Sequence, residues 1–325
     1  MKILFYGFRH GHINALYKRV LACPELEIVG CVENDPAARA AAEKNLGIVF
    51  SDKSFSEWLS EDFDIVAIGC AYGERGAAAI AALSAGKHVI TDKPVCTHTS
   101  ELEEIERISR ASGLLVACML DLRYLPQSVK AREILKSGML GEVRNVSFNG
   151  QHYLDYPNRP HWYYERGMHG GTVNDLGIHG IDLVRELTGL EFSAVDAARV
   201  WNAYATEQKD FCDSALFMAR LENGAGVMAD ISYSAPSQAF TMPSYWEFRF
   251  WCERGMLTFN YVDSSVTLYL DGESEPRVLE GTPSGDYVDE LLCDIKTNNT
   301  STRDSVIAST KTALAIQKSA EETNV

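Results

Sequence analysis

The chain has 325 residues, 46% hydrophobic and 23% charged, with 45 acidic against 30 basic side chains and a formal charge of −15. About 150 residues per domain predicts roughly two domains, each large enough to bury a core without disulfide or metal staples. The acidic balance argues against nucleic acid or anionic membranes as partners, and no run approaches the ~20 apolar residues of a membrane span.

Residues 1–7 lack the regions of a signal peptide. Eight scattered cysteines, none in a CxxC pair, are expected as reduced thiols in a cytoplasmic protein. No spacing marks any of them as a nucleophile.

Over the first 120 residues, short runs rich in Ile, Val and Leu alternate with helical stretches. Strands are predicted at 2–6, 27–32, 64–68, 87–90 and 114–118, each buried on both faces. Helices are predicted at 37–45, 76–85 and 100–112, closed by Gly47, Gly86 and Gly113 in left-handed conformation. This alternation predicts an α/β, doubly wound parallel sheet.

The pattern changes after Pro126. A helix at 127–137 ends at Gly138. Longer alternating runs follow at 142–150, 194–204, 212–221, 225–234, 244–251, 256–261 and 265–270. Turn signals at Glu222-Asn223-Gly224 and Glu253-Arg254-Gly255 join several of them, which predicts an α+β region with a large, mostly antiparallel open sheet. A helix at about 173–188 interrupts the strands, and two more start near Asp286 and Arg303.

The first strand-to-helix turn reads Gly7-Phe8-Arg9-His10-Gly11-His12, where a dinucleotide fold places its phosphate loop. Gly7 permits the tight turn, and the helix N-terminus behind it offers N–H groups to a pyrophosphate. The full glycine fingerprint is absent, since Arg9 and His12 stand at two of its positions. Glu33 closes the second strand and is placed to accept ribose hydroxyls, which favours NAD over NADP. Arg9 could instead serve a pyrophosphate or a 2′-phosphate, so NADP stays the second candidate. Residues 1–122 are therefore read as the dinucleotide-binding domain and 123–325 as a substrate-binding and oligomerisation domain.

Three features carry chemistry. The strand ending at residue 90 runs into Thr91-Asp92-Lys93-Pro94, which places Lys93 beyond a strand's carboxyl end, where ligands of open α/β sheets bind. A lysine there can donate to a substrate oxygen, and Pro94 can carry a cis bond. The run Gly170–His179 sets Asp175 and His179 four apart on one helix face, with Asp182 nearby; a carboxylate beside an imidazole suits a general base. The aromatic stretch 153–166, with Tyr153, Arg159, His161 and Trp162, suits a sugar or polyol. It also suits a packed loop or a subunit contact. A metal reading of Asp175, His179 and Asp182, with His152 or His161, lacks a recognised zinc spacing, so no metal is assigned.

In their order, these pieces resemble the Gfo/Idh/MocA oxidoreductases over essentially the whole chain. The matching stretches are Gly7–His12, Glu33, Asp92-Lys93-Pro94 for a Glu-Lys-Pro at the fifth strand, Arg123-Tyr124-Leu125-Pro126 at the domain junction, and Gly170–His179 running on to Asp182. The resemblance implies hydride transfer between a nicotinamide and a carbinol carbon of a sugar, cyclitol or related polyol. It implies that His179 takes the hydroxyl proton, Lys93 hydrogen-bonds the same oxygen, and Asp175 orients both substrate and His179.

The resemblance assigns Cys70, Ala71 and Lys93 to the cofactor, together with the 7–12 loop and Glu33. It assigns Lys93, Arg123, Asp175 and His179 to the substrate. Asp92 departs from the usual Glu, and Cys70–Gly76 lacks the Pro of a Thr-Pro-Asn run and the His that follows it. Two competing functions stay open: an enzyme that oxidises transiently, with net glycoside hydrolysis or epimerisation, and a non-catalytic sensor of nucleotide or sugar. One uncovered sheet face predicts a homodimer or homotetramer built on the C-terminal sheet.

Overall fold

The computed structural model describes residues 1–156, 158–237 and 246–322, which divide into two compact units. The first contains Met1–Met119, Gly167–Gly170 and Tyr287–Thr310; the second contains Leu120–Arg166, Gly171–Asp286 and the chain from Lys311. Two later segments, Gly167–Gly170 and Tyr287–Thr310, thus return to the first unit. Within the first unit, ion pairs tie the second return down: Arg19–Asp289 at 2.5 Å, Arg110–Asp304 at 3.2 Å, and Lys296 to Glu25.

The first unit is built on a five-stranded parallel sheet, β1 (Lys2–Tyr6), β2 (Glu27–Val32), β3 (Ile65–Ile68), β4 (His88–Thr91) and β5 (Val116–Cys118), in the order β2-β1-β3-β4-β5. Ile3, Leu4, Phe5, Ile65 to Ile68, Val89 and Ile90 are buried, as two-sided coverage requires. The covering helices are α1 (His12–Leu21), α2 (Pro36–Leu46), the single turn α3 (Phe55–Trp58), α4 (Tyr72–Ser84) and α5 (Thr99–Ser112). Gly47, Gly86 and Gly113 have φ of 67°, 78° and 73°, the left-handed ends expected of them. The turn bearing Lys93 follows the fourth strand, not the fifth.

Helix α4 begins four residues before its expected start at 76. Gly73 and Gly76 read as weak helix residues, but here they permit close packing. A Cβ on Gly73 would lie 2.2 Å from Gly167 O, and one on Gly76 2.3 Å from the Glu101 carboxyl carbon.

The second unit is built on an eight-stranded sheet. Its strands are β6 (Val143–Gln151), β7 (Phe192–Trp201), β8 (Ser214–Leu221), β9 (Gly226–Ser232), β10 (Trp246–Cys252), β11 (Gly255–Asn260), β12 (Ser265–Leu270) and β13 (Arg277–Glu280). Their order is β13-β12-β11-β10-β6-β9-β8-β7, antiparallel except for the β6–β9 pair. Strand β13 was not anticipated; it is a short, largely exposed edge strand without an alternating apolar face. Strand β7 stops at Trp201 rather than 204 because the N–H groups of Ala203, Tyr204 and Ala205 donate to the Asp213 carboxylate. Residues 244 and 245 of the strand expected at 244–251 lie outside the described residues.

Helices α6 (Pro126–Lys136) and α7 (Ile178–Thr188) lie against this sheet, and α8 (Tyr287–Thr297) and α9 (Ser301–Glu322) close the described chain. Trp246, Phe248 and Phe250 on β10 are fully buried beneath the helices. On the opposite face Leu216, Met218, Met228 and Trp251 are exposed. Among the described residues no helix is long and apolar enough to cross a membrane.

Candidate functional site

At the carboxyl end of β1, Gly7 adopts φ 86°, and a Cβ there would lie 2.3 Å from Cys70 N. Only glycine allows β1 and the loop after β3 to approach this closely. The loop is then pinned by its own amides: Gly7 N–H donates to Val32 O at 2.9 Å, Phe8 N–H to the Glu33 carboxylate, and Arg9 N–H to Gly69 O at 3.0 Å. The Phe8 ring is buried among Phe5, Tyr17 and Phe50. Gly11, by contrast, opens α1, and a Cβ there would meet nothing within 4 Å. That open space beside the N-terminal amides of a helix fits a phosphate group.

Glu33 is buried at the end of β2, and its carboxylate also accepts from Asp35 N–H at 2.7 Å. Asp35 caps α2 through Ala38 N–H, and the Arg9 guanidinium lies 3.8 Å from its carboxylate. Arg9 is therefore counter-charged by an acid of the same loop cluster. Cys70 and Ala71 are buried at the start of α4; burial pushes the Cys70 thiol up to about 12, which leaves it a poor nucleophile.

The turn after β4 carries a charge cluster that sequence reasoning missed. Asp92 is fully buried and accepts from Arg75 Nη2 at 2.9 Å; His10 Nδ1 lies 2.6 Å and His12 Nδ1 3.2 Å from its oxygens. Burial, the largest single influence, would raise this carboxyl, but the Arg75 guanidinium and the His10 and His12 rings together outweigh it and hold Asp92 well below the usual carboxylate range. Burial pushes His10 down to about 3, so it is neutral at physiological pH. His10, His12 and Asp92 also bring metal-type donors within 4.8 Å of one another. The Arg75 guanidinium on the same carboxylate opposes a further cation, so this reads as a hydrogen-bonded network. Lys93 is 3% exposed and joined to Pro94 by a cis peptide. Its Nζ lies 5.7 Å from the centroid of the Tyr72 ring.

In the second unit, Asp175 falls in a π-helical turn, Val173–Gly177, that leads directly into α7. The run expected as one regular helix is thus wider over its first turn. Glycines explain the placement. A Cβ on Gly180 would lie 2.1 Å from the Phe148 ring, and one on Gly177 2.9 Å from Ile231 Cδ1, so α7 can rest directly on β6 and β9. Gln317 of α9 holds the start of the turn by accepting from Val173 N–H at 2.9 Å.

Asp175 is 1% exposed and its carboxylate accepts from the buried Tyr233 hydroxyl. Burial and the Asp175 charge both push the Tyr233 phenol well up, so it stays protonated as a donor. His179 is 2% exposed, with Nδ1 3.8 Å from an Asp121 oxygen and its ring 5.8 Å from that of Trp246. Tyr233 was not singled out in the sequence, where its only signal is the period-2 alternation of the run at 225–234; Trp246 stood out only as aromatic bulk alternating along its strand, not as a neighbour of His179.

The other substrate candidates separate. Arg123 is buried and chelates the Asp182 carboxylate, with Glu186 at 3.5 Å, so it secures α7. Arg159 donates to the carbonyls of Leu154 and Tyr153 and lies over the Tyr163 and Tyr233 rings. Trp162 is buried, and Tyr153 forms an isolated bridge with Ser234. The His161 side chain is 88% exposed and pairs with Glu165 at 3.0 Å.

Residues 2–119 match the model of the oxidoreductase family with an NAD-binding Rossmann fold, and residues 128–258 match the GFO/IDH/MocA C-terminal domain. The chain belongs to the Gfo/Idh/MocA oxidoreductase family. Its first unit contains the family's NAD-binding Rossmann domain.

Curated relatives include levoglucosan dehydrogenase of Pseudarthrobacter phenanthrenivorans, 28% identical over 258 residues, 70% of this chain and 64% of that protein. D-xylose dehydrogenase of Paenarthrobacter nicotinovorans is 25% identical over 225 residues, 65% of this chain and 58% of that protein. The chain thus spans less than two thirds of these relatives' length. A solved levoglucosan dehydrogenase, in complex with NADH and levoglucosan, superposes with a TM-score of 0.82 at 20% identity, over 99% of this chain and 97% of that one. At that identity the likeness shows the fold.

Proposed function

We propose that the chain is an NAD-dependent dehydrogenase acting on a CH–OH group of a sugar, cyclitol or related polyol. The observation that carries this is the buried Asp175, held by Tyr233 one helical turn before the buried His179, in a chain with an NAD-binding domain. Relatives named for levoglucosan and D-xylose support the substrate class. The bound nicotinamide supplies the hydride chemistry. His179 takes the hydroxyl proton, Lys93 donates a hydrogen bond to that oxygen, and Asp175 positions the imidazole. NAD is favoured over NADP because Glu33 and Asp35 put two carboxylates where a 2′-phosphate would need cations, and Arg9 already faces Asp35.

The test is reduction of NAD, followed at the reduced-nicotinamide absorbance, with levoglucosan, D-xylose and a polyol panel. Lys93→Ala and His179→Asn should each lower kcat by about 10²–10⁴-fold. Full activity in either variant would overturn the relay. Failure to bind either dinucleotide in calorimetry would favour the sensor reading.

The exposed Leu216, Met218, Met228 and Trp251 give the sheet an apolar outer face suited to a second copy. A homodimer or homotetramer is expected by light scattering at micromolar concentration, and a monomer would refute it. Eight free thiols, five of them buried, support a reducing, cytoplasmic setting.

A further inference from the structure

We propose that Arg75 is a positioning residue for Lys93, acting through the backbone of the turn that carries the lysine. The inference rests on the functional reading above only in giving Lys93 a task.

Arg75 is 0% exposed. Its Nε donates to Cys70 O at 3.0 Å, Nη1 to the carbonyls of Lys93 and of Pro94, the latter at 3.3 Å, and Nη2 to Asp92 Oδ2 at 2.9 Å. One rigid fork therefore holds the residues before, at and after Lys93, and ties them to the loop after β3. Through Asp92 the same fork reaches His10 and His12 of the loop after β1. Strands β1, β3 and β4 are neighbours in the sheet, and their carboxyl ends are where an open α/β sheet takes its ligand.

The chemistry argues against a purely packing role. A buried guanidinium carries a desolvation penalty that an apolar side chain would avoid, so its four hydrogen bonds point to geometry rather than stability. Three of its acceptors are backbone carbonyls, which have no side-chain identity to defend but do fix a turn. A lysine at the end of a flexible four-carbon stem gains most from such a fixed base. The Tyr72 ring completes the arrangement: the Arg75 guanidinium carbon lies 4.4 Å and Lys93 Nζ 5.7 Å from its centroid.

The experiment is pulsed acetylation of the full chain with an N-hydroxysuccinimide ester, quantified by peptide mass spectrometry, with exposed Lys53 as the internal reference. In the wild type, Lys93 should be protected relative to Lys53. In Arg75→Ala its acetylation should rise about tenfold, as a local opening would give, and millimolar guanidinium should restore protection where equal ammonium does not. Where Arg75→Ala fails to fold, Arg75→Lys, which keeps the charge but loses the fork, is read in the same way. Unchanged Lys93 acetylation in either folded variant overturns the inference. Because this readout needs no turnover, its failure is separable from that of the functional reading, which falls if Lys93→Ala keeps full activity.

Discussion

Asp92 and Asp175 are both buried carboxylates, one in each unit, yet they are held by opposite means. Asp92 faces a guanidinium and two imidazoles, so its charge is cancelled where it sits. Asp175 faces the neutral hydroxyl of Tyr233. An ion pair of the first kind builds a rigid frame. A charge stabilised by a neutral donor keeps its field available to a neighbouring imidazole or ligand. Asp92 is therefore part of a scaffold, and under the proposed function the Asp175 charge is left to position the imidazole.

The same substitution at both positions is the sharpest way to break this contrast. Asp92→Asn leaves a buried, uncompensated guanidinium and should destabilise the fold by about 3–5 kcal/mol. Asp175→Asn keeps the Tyr233 contact and should cost no more than about 1–2 kcal/mol, while kcat falls by about 10²-fold. Urea unfolding combined with turnover separates the two, and equal destabilisation would erase the distinction. Tyr233→Phe should come next, with a loss of about 1 kcal/mol from the missing hydroxyl contact and lowered activity in a protein that still binds NAD.

A further expectation concerns pH. His10 is held neutral down to about 3, below its ordinary 6.5. Between those values the unfolded chain takes up a proton that the folded one refuses. Its contribution is therefore complete above pH 6.5 and is lost as pH falls towards 3. His10→Asn should flatten that acid limb in thermal melts between pH 4 and 7, and an unchanged slope would show that other groups set it.

The parallel sheet was readable in the sequence because short two-sided apolar runs are punctuated by glycines that close helices, and Gly47, Gly86 and Gly113 do so in the structure. Lys93, Asp175 and His179 were visible as residue types at telling positions. Arg75 was not, since it sits between Gly73 and Gly76 in a stretch that reads as a poor helix start, and its four acceptors are 5 to 19 residues away in sequence. Tyr233 lies 58 residues from Asp175, and only the pairing of strands brings them together. The π-helical turn escaped for a different reason: a widened turn leaves no mark on apolar spacing over five residues.

The return of Tyr287–Thr310 to the first unit bears on how the protein is born. Five strands and five helices of that unit leave the ribosome first, but the ion-pair partners Asp289, Lys296 and Asp304 follow about 170 residues after Met119. Until then Arg19, Glu25 and Arg110 wait without them. A fragment ending near residue 120 therefore lacks these three ion pairs, which close only after Asp304 has been made.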